Sequence, residues 1–253
     1  MTHIASPQNP RLKAVRRLAR KSERERCGTF LAEGEDLIAA AAHAGRHAVE
    51  GYRLAGSGLG DESFHDVEPR ALAAVSTLGS GTRVIGVYQQ SWGPPAGPLC
   101  VYLHGVGDPG NVGTVLRSAE AFGADCVALG PGCADPHSPK AVRASMGAIF
   151  TVRLARVPGP AELPGERIAL LAGARQALRG SGGDAHTPVA AVTLLVGAER
   201  DGLPAAVVEA CERVARIPIA SESLNAAMAA TVALYEMTRE ASDAPASSRV
   251  RAS

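Results

Sequence analysis

The fold is decided by residues 99–123, which read LCVYLHGVGDPGNVGTVLRSAEAFG. The first five residues form a continuous apolar run, and apolar side chains recur at helical spacing over 112–122, with a glycine-rich loop between the two. A short apolar strand followed by an amphipathic helix is the repeating unit of a parallel α/β sheet. Strands that are buried on both faces of such a sheet carry apolar residues at successive positions, as this one does.

The same unit recurs toward the carboxyl end of the chain. The pattern predicts strands at 99–103, 126–129, 150–155, 168–171, 193–196 and 214–217, and helices at 112–122, 139–146, 204–211 and 224–239. We therefore predict an α/β fold with an open, mostly parallel sheet over residues 99–240. Ligands of such sheets bind beyond the carboxyl ends of the strands.

The first ninety residues predict a smaller α/β unit. Asn9 followed by Pro10 is typical of a helix start, and we expect a basic helix from there to about residue 21. Strand-like runs near 29–32, 49–54 and 83–89 and helical segments over 35–45 and around 69–78 complete the unit. Three prolines and two glycines within 91–98 predict a linker. The expected organisation is a small α/β domain over 1–90, the linker at 91–98, the larger domain over 99–240 and a disordered tail at 241–253.

Composition narrows the class of protein. With 46% hydrophobic residues, 20% charged residues and a formal net charge of +1, the chain has the composition of a globular protein, which excludes whole-chain disorder. Five scattered cysteines without a C-x-x-C pair argue against a disulfide framework and a zinc site. No apolar run approaches the length of a membrane span, and the first residues lack a signal-peptide core. We expect a cytoplasmic protein with no membrane partner and no metal.

Positive charge is concentrated at the amino end. Residues 1–26 contain eight basic and two acidic residues, although the whole chain is nearly neutral. Guanidinium groups bind phosphate oxygens bidentately, and their binding to nucleic acid releases condensed counterions. Taken alone, the segment fits a nucleic-acid contact and a solvated helix face equally well.

One glycine motif points to a dinucleotide site that the following residues do not support. Residues 105–110 match G-x-G-x-x-G after a predicted strand. A dinucleotide site also requires an acidic residue at the end of the second strand, where it holds the ribose hydroxyls. That strand ends at residues 128–131 without a carboxylate, and the next one is Asp135. The sequence thus argues against a nicotinamide-dependent dehydrogenase, and it contains no G-x-S-x-G or P-loop motif either.

Three polar clusters lie where predicted strands end or helices begin. They are NVGTVLRSAEAFG at 111–123, LVGAERDGLP at 195–204 and IPIASESLN at 217–225. Each alone is typical of an ordinary helix start or glycine turn. Because the carboxyl ends of parallel strands meet at one edge of a sheet, the three together predict a ligand site. Glycines there let a ligand approach the backbone, and helix N-termini supply N–H donors.

The three clusters resemble the motifs of the SpoU/TrmH branch of the SPOUT methyltransferase superfamily. Those motifs are N-x-G-x-x-x-R-x-A-x-x-F-G, G-x-E-x-x-G-[LM] and I-P-x(n)-S-L-N, in the order found here. Residues 142–150 also resemble the element V-R-x-S-x-G-A-x-F that separates the first two motifs. Residues 6–13 and 30–34 resemble the ribosomal-protein-like substrate domain of many members, so the resemblance covers nearly the whole chain.

The resemblance implies an S-adenosylmethionine-dependent RNA 2'-O-ribose methyltransferase. It further implies a C-terminal deep trefoil knot, a homodimer with the active site at its interface, and ribosomal RNA as a better substrate candidate than transfer RNA. By motif position the catalytic residues are Asn111, Arg117, Glu199, Ser223 and Asn225. The implied cofactor contacts are Ala172, Gly197, Ile217, Ile219 and Leu224. The candidate RNA contacts are Arg11, Lys13, Arg16, Arg17, Arg20 and Arg143.

Two questions stay open at the level of sequence. The family mechanism often assigns the role of general base to the arginine of the first motif, here Arg117, although a guanidinium stays protonated at any working pH. Arg117 is therefore either the base or the group that holds the target phosphate and stabilises the alkoxide. The alternatives to an rRNA enzyme are a transfer RNA 2'-O-methyltransferase and a non-catalytic RNA-binding protein that kept the fold. Residues 174–188 match no motif.

Overall fold

The computed structural model describes residues 2–77, 81–179, 191–221 and 223–242. Contacts between residues divide the chain into two compact units. The first unit consists of Met1–Trp92, Asp108–Arg117 and Ala134–Arg153, and the second of Gly93–Gly107, Ser118–Cys133 and Leu154–Ser253. Within the described ranges, no helix has both the length and the apolar character that crossing a bilayer requires.

The first unit contains a mixed five-stranded sheet. Its strands are β1 (His3–Ile4), β2 (Thr29–Glu33), β3 (Glu50–Leu54), β4 (His65–Val67) and β5 (Val84–Gln89), in the order β1-β4-β3-β5-β2. Strand β5 pairs antiparallel with β2 and β3, whereas β4 pairs parallel with β1 and β3. The sequence predicted β2, β3 and β5, and it missed β1 and β4, which are only two and three residues long.

Six α-helices begin in the described residues of the first unit. They are α1 (Pro10–Arg17), α2 (Lys21–Cys27), α3 (Glu35–His43), α4 (Pro69–Ala73), α5 (Pro109–Ala121) and α6 (Pro139–Ala144). The predicted start of α1 is confirmed, since Asn9 accepts a hydrogen bond from the Arg11 N–H at 2.9 Å and Pro10 follows it. Leu12 and Val15 of α1 are buried in the core of this unit with Ile4 and Tyr52.

The prediction of one continuous helix to about residue 21 is wrong. Helix α1 ends at Arg17, and α2 begins at Lys21. The buried Arg24 guanidinium donates to the carbonyl oxygens of Leu18 and Ala19, both at 2.8 Å. These carbonyls therefore accept a side-chain hydrogen bond where a continuing helix would supply a backbone N–H. Arg24 also pairs with Asp135, with Nη2–Oδ2 at 2.7 Å and both side chains nearly inaccessible to solvent. A buried pair that spans 111 residues of sequence thus lies beside the break in the basic helix.

The second unit contains the six-stranded sheet. Its strands are β6 (Leu99–Leu103), β7 (Cys126–Leu129), β8 (Arg153–Arg156), β9 (Glu166–Leu170), β10 (Val192–Val196) and β11 (Arg213–Ala215), in the order β11-β9-β10-β6-β7-β8. The pairings from β11 through β7 are all parallel, which confirms the predicted sheet. All of β10 and β7 is buried, as their continuous apolar runs predicted.

Helices α7 (Ala205–Glu209) and α8 (Ala226–Ser242) belong to the second unit. Four alanines of α8 and Leu234 are buried, and this helix contacts β10. Several predicted boundaries moved. Residues 148–150, the last of which was assigned to a strand, form a 3-10 helix, and α8 continues to Ser242, into the predicted tail. The rest of that tail, 243–253, and residues 180–188 of the unassigned segment lie outside the described residues.

Candidate active site

A cavity of about 290 Å³ lies in the second unit, where the loops after β9, β10 and β11 come together. Strand β9 is the parallel neighbour of both β10 and β11, so the carboxyl ends of the three strands lie at one edge of the sheet. The small side chains of Ala226 and Ala229 on α8 form part of the wall. The cavity thus occupies the place where open parallel sheets bind ligands.

The structure brings together most of the residues that the sequence singled out in this unit. All five predicted cofactor contacts line the cavity: Ala172, Gly197, Ile217, Ile219 and Leu224. The predicted catalytic residues Glu199 and Ser223 line it as well. Three segments that are far apart in sequence therefore line one cavity. The catalytic or cofactor-binding role of each side chain stays a prediction.

The loop after β10 owes its shape to Gly197. A Cβ atom on this residue would lie 2.2 Å from the carbonyl carbon of Gly202 and 2.4 Å from the backbone nitrogen of Leu203. Gly202 has a φ of +63°, and its N–H bonds the Ala198 carbonyl at 3.0 Å. The loop turns back onto its own first residue, and only glycine leaves room for that approach.

Backbone hydrogen bonds fix the other two loops against each other. Leu171 N–H donates to the Ala215 carbonyl at 3.0 Å, and Arg216 N–H donates to the Gln176 carbonyl at 2.8 Å. The Leu178 N–H donates to the Arg216 carbonyl oxygen at 2.7 Å. The segment after β9 therefore runs beside the segment after β11, and the two opposing walls of the cavity are held at a set distance.

Asn225 has a structural task that the motif did not reveal. Its Oδ1 accepts hydrogen bonds from the backbone N–H groups of Ala227 at 2.9 Å and Met228 at 3.3 Å, which caps α8. The residues on either side of it, Leu224 and Ala226, line the cavity, whereas Asn225 does not. The cap holds the first turn of α8 at the cavity, so Asn225 positions the wall.

The predicted catalytic residues Asn111 and Arg117 belong to the first unit, on α5. Asp108 accepts from the Asn111 N–H at 3.0 Å and from Lys140 Nζ at 2.6 Å. The hydrogen bond from Lys140 lowers the pKa of Asp108, so this helix cap stays ionised in mild acid. Arg117 is exposed and lies six residues farther along the helix.

Helix α5 contacts α6 closely at Gly113. A Cβ atom there would lie 2.3 Å from the Ala141 carbonyl oxygen and 2.7 Å from Cβ of Ala144. Arg143, a predicted RNA contact, is exposed on α6. The exposed Arg117 and Arg143 are thus carried by two helices in direct contact.

In the predicted basic segment, some side chains bond other groups of the protein and others are exposed to solvent. Arg11 pairs with Glu50, and Arg16 Nε donates to the Ala74 carbonyl at 3.1 Å. Lys13, Arg17 and Arg20 are exposed, and the structure shows no comparable bond for them within the described residues. These three are therefore the better candidates for a phosphate contact.

Comparison with known proteins identifies the family. Residues 98–235 match the profile of the SpoU rRNA Methylase family, more than half of the chain. The chain belongs to the SpoU rRNA methylase family. Residues 9–63 match the MRM3-like substrate binding domain, which covers α1 through β3.

Relatives of this SpoU protein align along nearly its whole length. An uncharacterised tRNA/rRNA methyltransferase of Synechocystis is 32% identical over 94% of this chain and 93% of its own. The 23S rRNA (guanosine(2553)-2'-O)-methyltransferase RlmP of Bacillus subtilis is 29% identical over 94% of this chain and 99% of its own. The crystal structure of an AdoMet-bound rRNA methyltransferase from Sinorhizobium meliloti superposes with a TM-score of 0.79 at 28% identity, covering 94% and 98% of the two chains.

The SpoU motifs did not single out every residue of the cavity. Leu170, Ala198, Ala226 and Ala229 also line it. Each lies at the end of a strand, directly after Gly197 or in the first turns of α8, and all but Leu170 are small. Small residues at such places could have predicted these cavity positions from the sequence, because small side chains leave room for a ligand near the backbone. In the described ranges, no group of three or more histidine, cysteine, aspartate or glutamate residues is arranged to hold a metal.

We predict that Gly197→Ala lowers the free energy of unfolding by about 1–3 kcal/mol, because the added methyl group overlaps the backbone of 202–203. Gly173→Ala, in the neighbouring loop, is the matched control, since a Cβ there meets nothing within 4 Å. We expect that control to change stability by less than about 0.5 kcal/mol. Urea unfolding of both variants measures the difference, and equal effects would contradict the role given to Gly197.

Proposed function

We propose that this protein transfers the methyl group of S-adenosylmethionine to a ribose 2'-hydroxyl of ribosomal RNA. The observation that carries the proposal is the cavity at the carboxyl edge of the parallel sheet that is lined by all five predicted cofactor contacts. The relatives support it, since RlmP is named for 2'-O-methylation of 23S rRNA and the Sinorhizobium meliloti structure is of an AdoMet-bound rRNA methyltransferase.

The residues of the cavity fit this cofactor. Ile217, Ile219 and Leu224 offer apolar contact for an adenine ring, and the backbone of 197–202 offers polar groups near Gly197. Glu199 and Asp201 place two carboxylates on the same wall, which suits a ligand that carries positive charge. The volume lies at the lower end of the range for small-molecule sites.

The chain's own groups have to orient the nucleophile and stabilise the alkoxide that develops on it. The bound cofactor supplies an electrophilic methyl group on a sulfonium. We assign to Arg117 the grip on the target phosphate and the stabilisation of the alkoxide, because its guanidinium stays protonated. Ser223, on the cavity wall, orients the sugar, and Asn225 keeps the wall in place through its helix cap.

Replacement of Arg117 tests these roles. We expect Arg117→Lys to lower kcat about 10- to 100-fold with an unchanged pH profile, because lysine keeps the charge but loses the bidentate grip. Transfer of radiolabelled methyl groups to rRNA and to tRNA, with ribose mapping of the product, measures activity and the substrate together. A shift of the pH profile in Arg117→Lys would instead favour arginine as the base.

Titration calorimetry with S-adenosylmethionine separates the enzyme from a non-catalytic RNA-binding protein. We expect binding in the unaltered chain and in Arg117→Lys alike. No detectable binding to the unaltered protein would overturn the proposed activity.

The exposed basic residues at the amino end fit an RNA-binding role in the matched substrate-binding domain. We expect replacement of Lys13, Arg17 and Arg20 by glutamine to weaken the salt dependence of RNA binding. The slope of log K, where K is the association constant for an RNA fragment, against log salt concentration should fall in magnitude by up to about 3. Arg11→Gln with Arg16→Gln is the matched control, since both side chains already bond protein groups. A slope that falls equally in both variants would contradict the division between exposed and engaged residues.

We also propose that the protein is a homodimer. Met228, Val232 and Tyr235 are 58%, 40% and 55% exposed and lie at spacings of four and three residues along α8. They form an apolar stripe that a second copy of the same helix can cover about a two-fold axis. Continuity of this helix with the cavity wall supports an active site next to the interface.

Light scattering after size exclusion tests the dimer. We expect Val232→Arg to produce a monomer, because it places a charge within the apolar stripe. Val49→Arg is the matched control, since Val49 is equally an exposed apolar side chain but belongs to the first unit. A monomeric unaltered protein would contradict the proposal.

Membership of this family leads to two further proposals. We propose that the loops around the cavity form a trefoil knot, which their convergence from three separate strand ends supports. We also propose a cytoplasmic location, because disulfides are rare in that compartment and the five cysteines form none.

A further inference from the structure

A second cavity, of about 580 Å³, lies in the first unit and belongs to none of the SpoU motifs. Helix α3 forms one wall with Ile38 and Ala42, and Leu59 and Val84 contribute further apolar surface. The loop that reaches it is shaped around Phe64, because a Cβ atom on Gly60 would lie 2.6 Å from that ring. The walls are therefore apolar and leave room for a flat ring system.

The polar groups at this cavity are few and of opposite charge. Asp61 and Glu35 bring carboxylates, and Arg46 and His47 bring N–H donors. Hydrogen bonds from Ser63 lower the pKa of Asp61, so its carboxylate is ionised at neutral pH, and His47 is near enough to act on it electrostatically. An acceptor and a donor thus lie side by side over an apolar floor.

Tyr88 adds a further donor at the inner side of the cavity. Burial, together with the charge of Asp61, raises the pKa of Tyr88 to about 12, so its hydroxyl keeps its proton at neutral pH. Arg46 is held in place, since its Nη2 donates to the Gln89 carbonyl at 3.1 Å. The polar groups are therefore set by the surrounding structure.

This charge pattern selects among the parts of an RNA chain. Glu35 pairs with Arg83 at 2.9 Å, so Asp61 is the carboxylate that meets a ligand, and it lies in one cavity with Arg46 and His47. An acceptor among donors suits the edge of a base better than a phosphate. Guanine presents adjacent N–H donors and the O6 acceptor on its Watson–Crick edge. The donors match the carboxylate of Asp61, and O6 matches an N–H of His47 or Arg46. The apolar walls match the ring faces, as in other pockets that take an unstacked base.

We propose that this cavity binds one unpaired guanine base of the RNA substrate and so contributes to the choice of target. The proposal rests on the proposed function only for the identity of the RNA as substrate. Binding of the base itself needs neither the cofactor nor methyl transfer.

Fluorescence anisotropy of the full chain with short labelled RNAs tests the proposal. The probes are a uridine hexamer, the same hexamer with one central guanosine, and the same with one central adenosine. We expect the guanosine hexamer to bind about tenfold tighter than the other two, the discrimination typical of one bidentate contact with a base edge. Asp61→Asn removes the charge with little change of shape, and Ala42→Phe fills the cavity from an exposed position on α3.

Both variants should lose the guanosine preference and keep the affinity for the uridine hexamer, since phosphate contacts are unaltered. Ala73→Phe, at an exposed position of α4 away from the cavity, is the matched control and should keep the preference. Equal affinity of the unaltered protein for all three hexamers, or a preference that survives both cavity variants, would overturn the proposal. Guanosine preference without methyl transfer would overturn only the proposed function, and methyl transfer without the preference would overturn only this one.

Discussion

Parallel strand pairing is the constraint on which the second unit depends. Four successive pairings from β11 to β7 run in the same direction, so every strand delivers its following loop to the same edge of the sheet. The loops after β9, β10 and β11 then have to share a small space, and the tight return at Gly197 is what makes that possible. A site of the SpoU type follows from this geometry, because a ligand at that edge meets three loops at once.

The first unit depends on a different interaction, the buried pair of Arg24 and Asp135. The Arg24 guanidinium, on α2, bonds both the turn at 18–19 and the segment that leads into α6. Loss of one partner of such a pair leaves an uncompensated buried charge and typically costs about 3–5 kcal/mol. The pair thus holds together parts of the chain with different tasks: the basic amino end and the segment carrying Arg143.

Local patterns predicted the elements that are long and regular. Strands β6, β7 and β10 were found at or within one residue of their bounds because continuous apolar runs between glycine or proline residues are read directly from the sequence. Strands β1 and β4 were missed because two or three residues carry no periodicity. The break between α1 and α2 was missed because the bonds that Arg24 makes to the carbonyls of 18–19, and its pair with Asp135 111 residues away, are tertiary contacts.

By itself the sequence determined the α/β class and the family, and it singled out five residues that line one cavity, since motifs at strand ends are local and parallel pairing brings strand ends together. Only the tertiary structure decided which side chains are available. It placed Asn225 in the cap of α8, engaged Arg11 and Arg16 with protein groups, and left Lys13, Arg17 and Arg20 exposed. It also formed the cavity of about 580 Å³ from α3, the loop at 59–64 and β5. Burial and hydrogen bonding depend on partners distant in sequence, which no local pattern records.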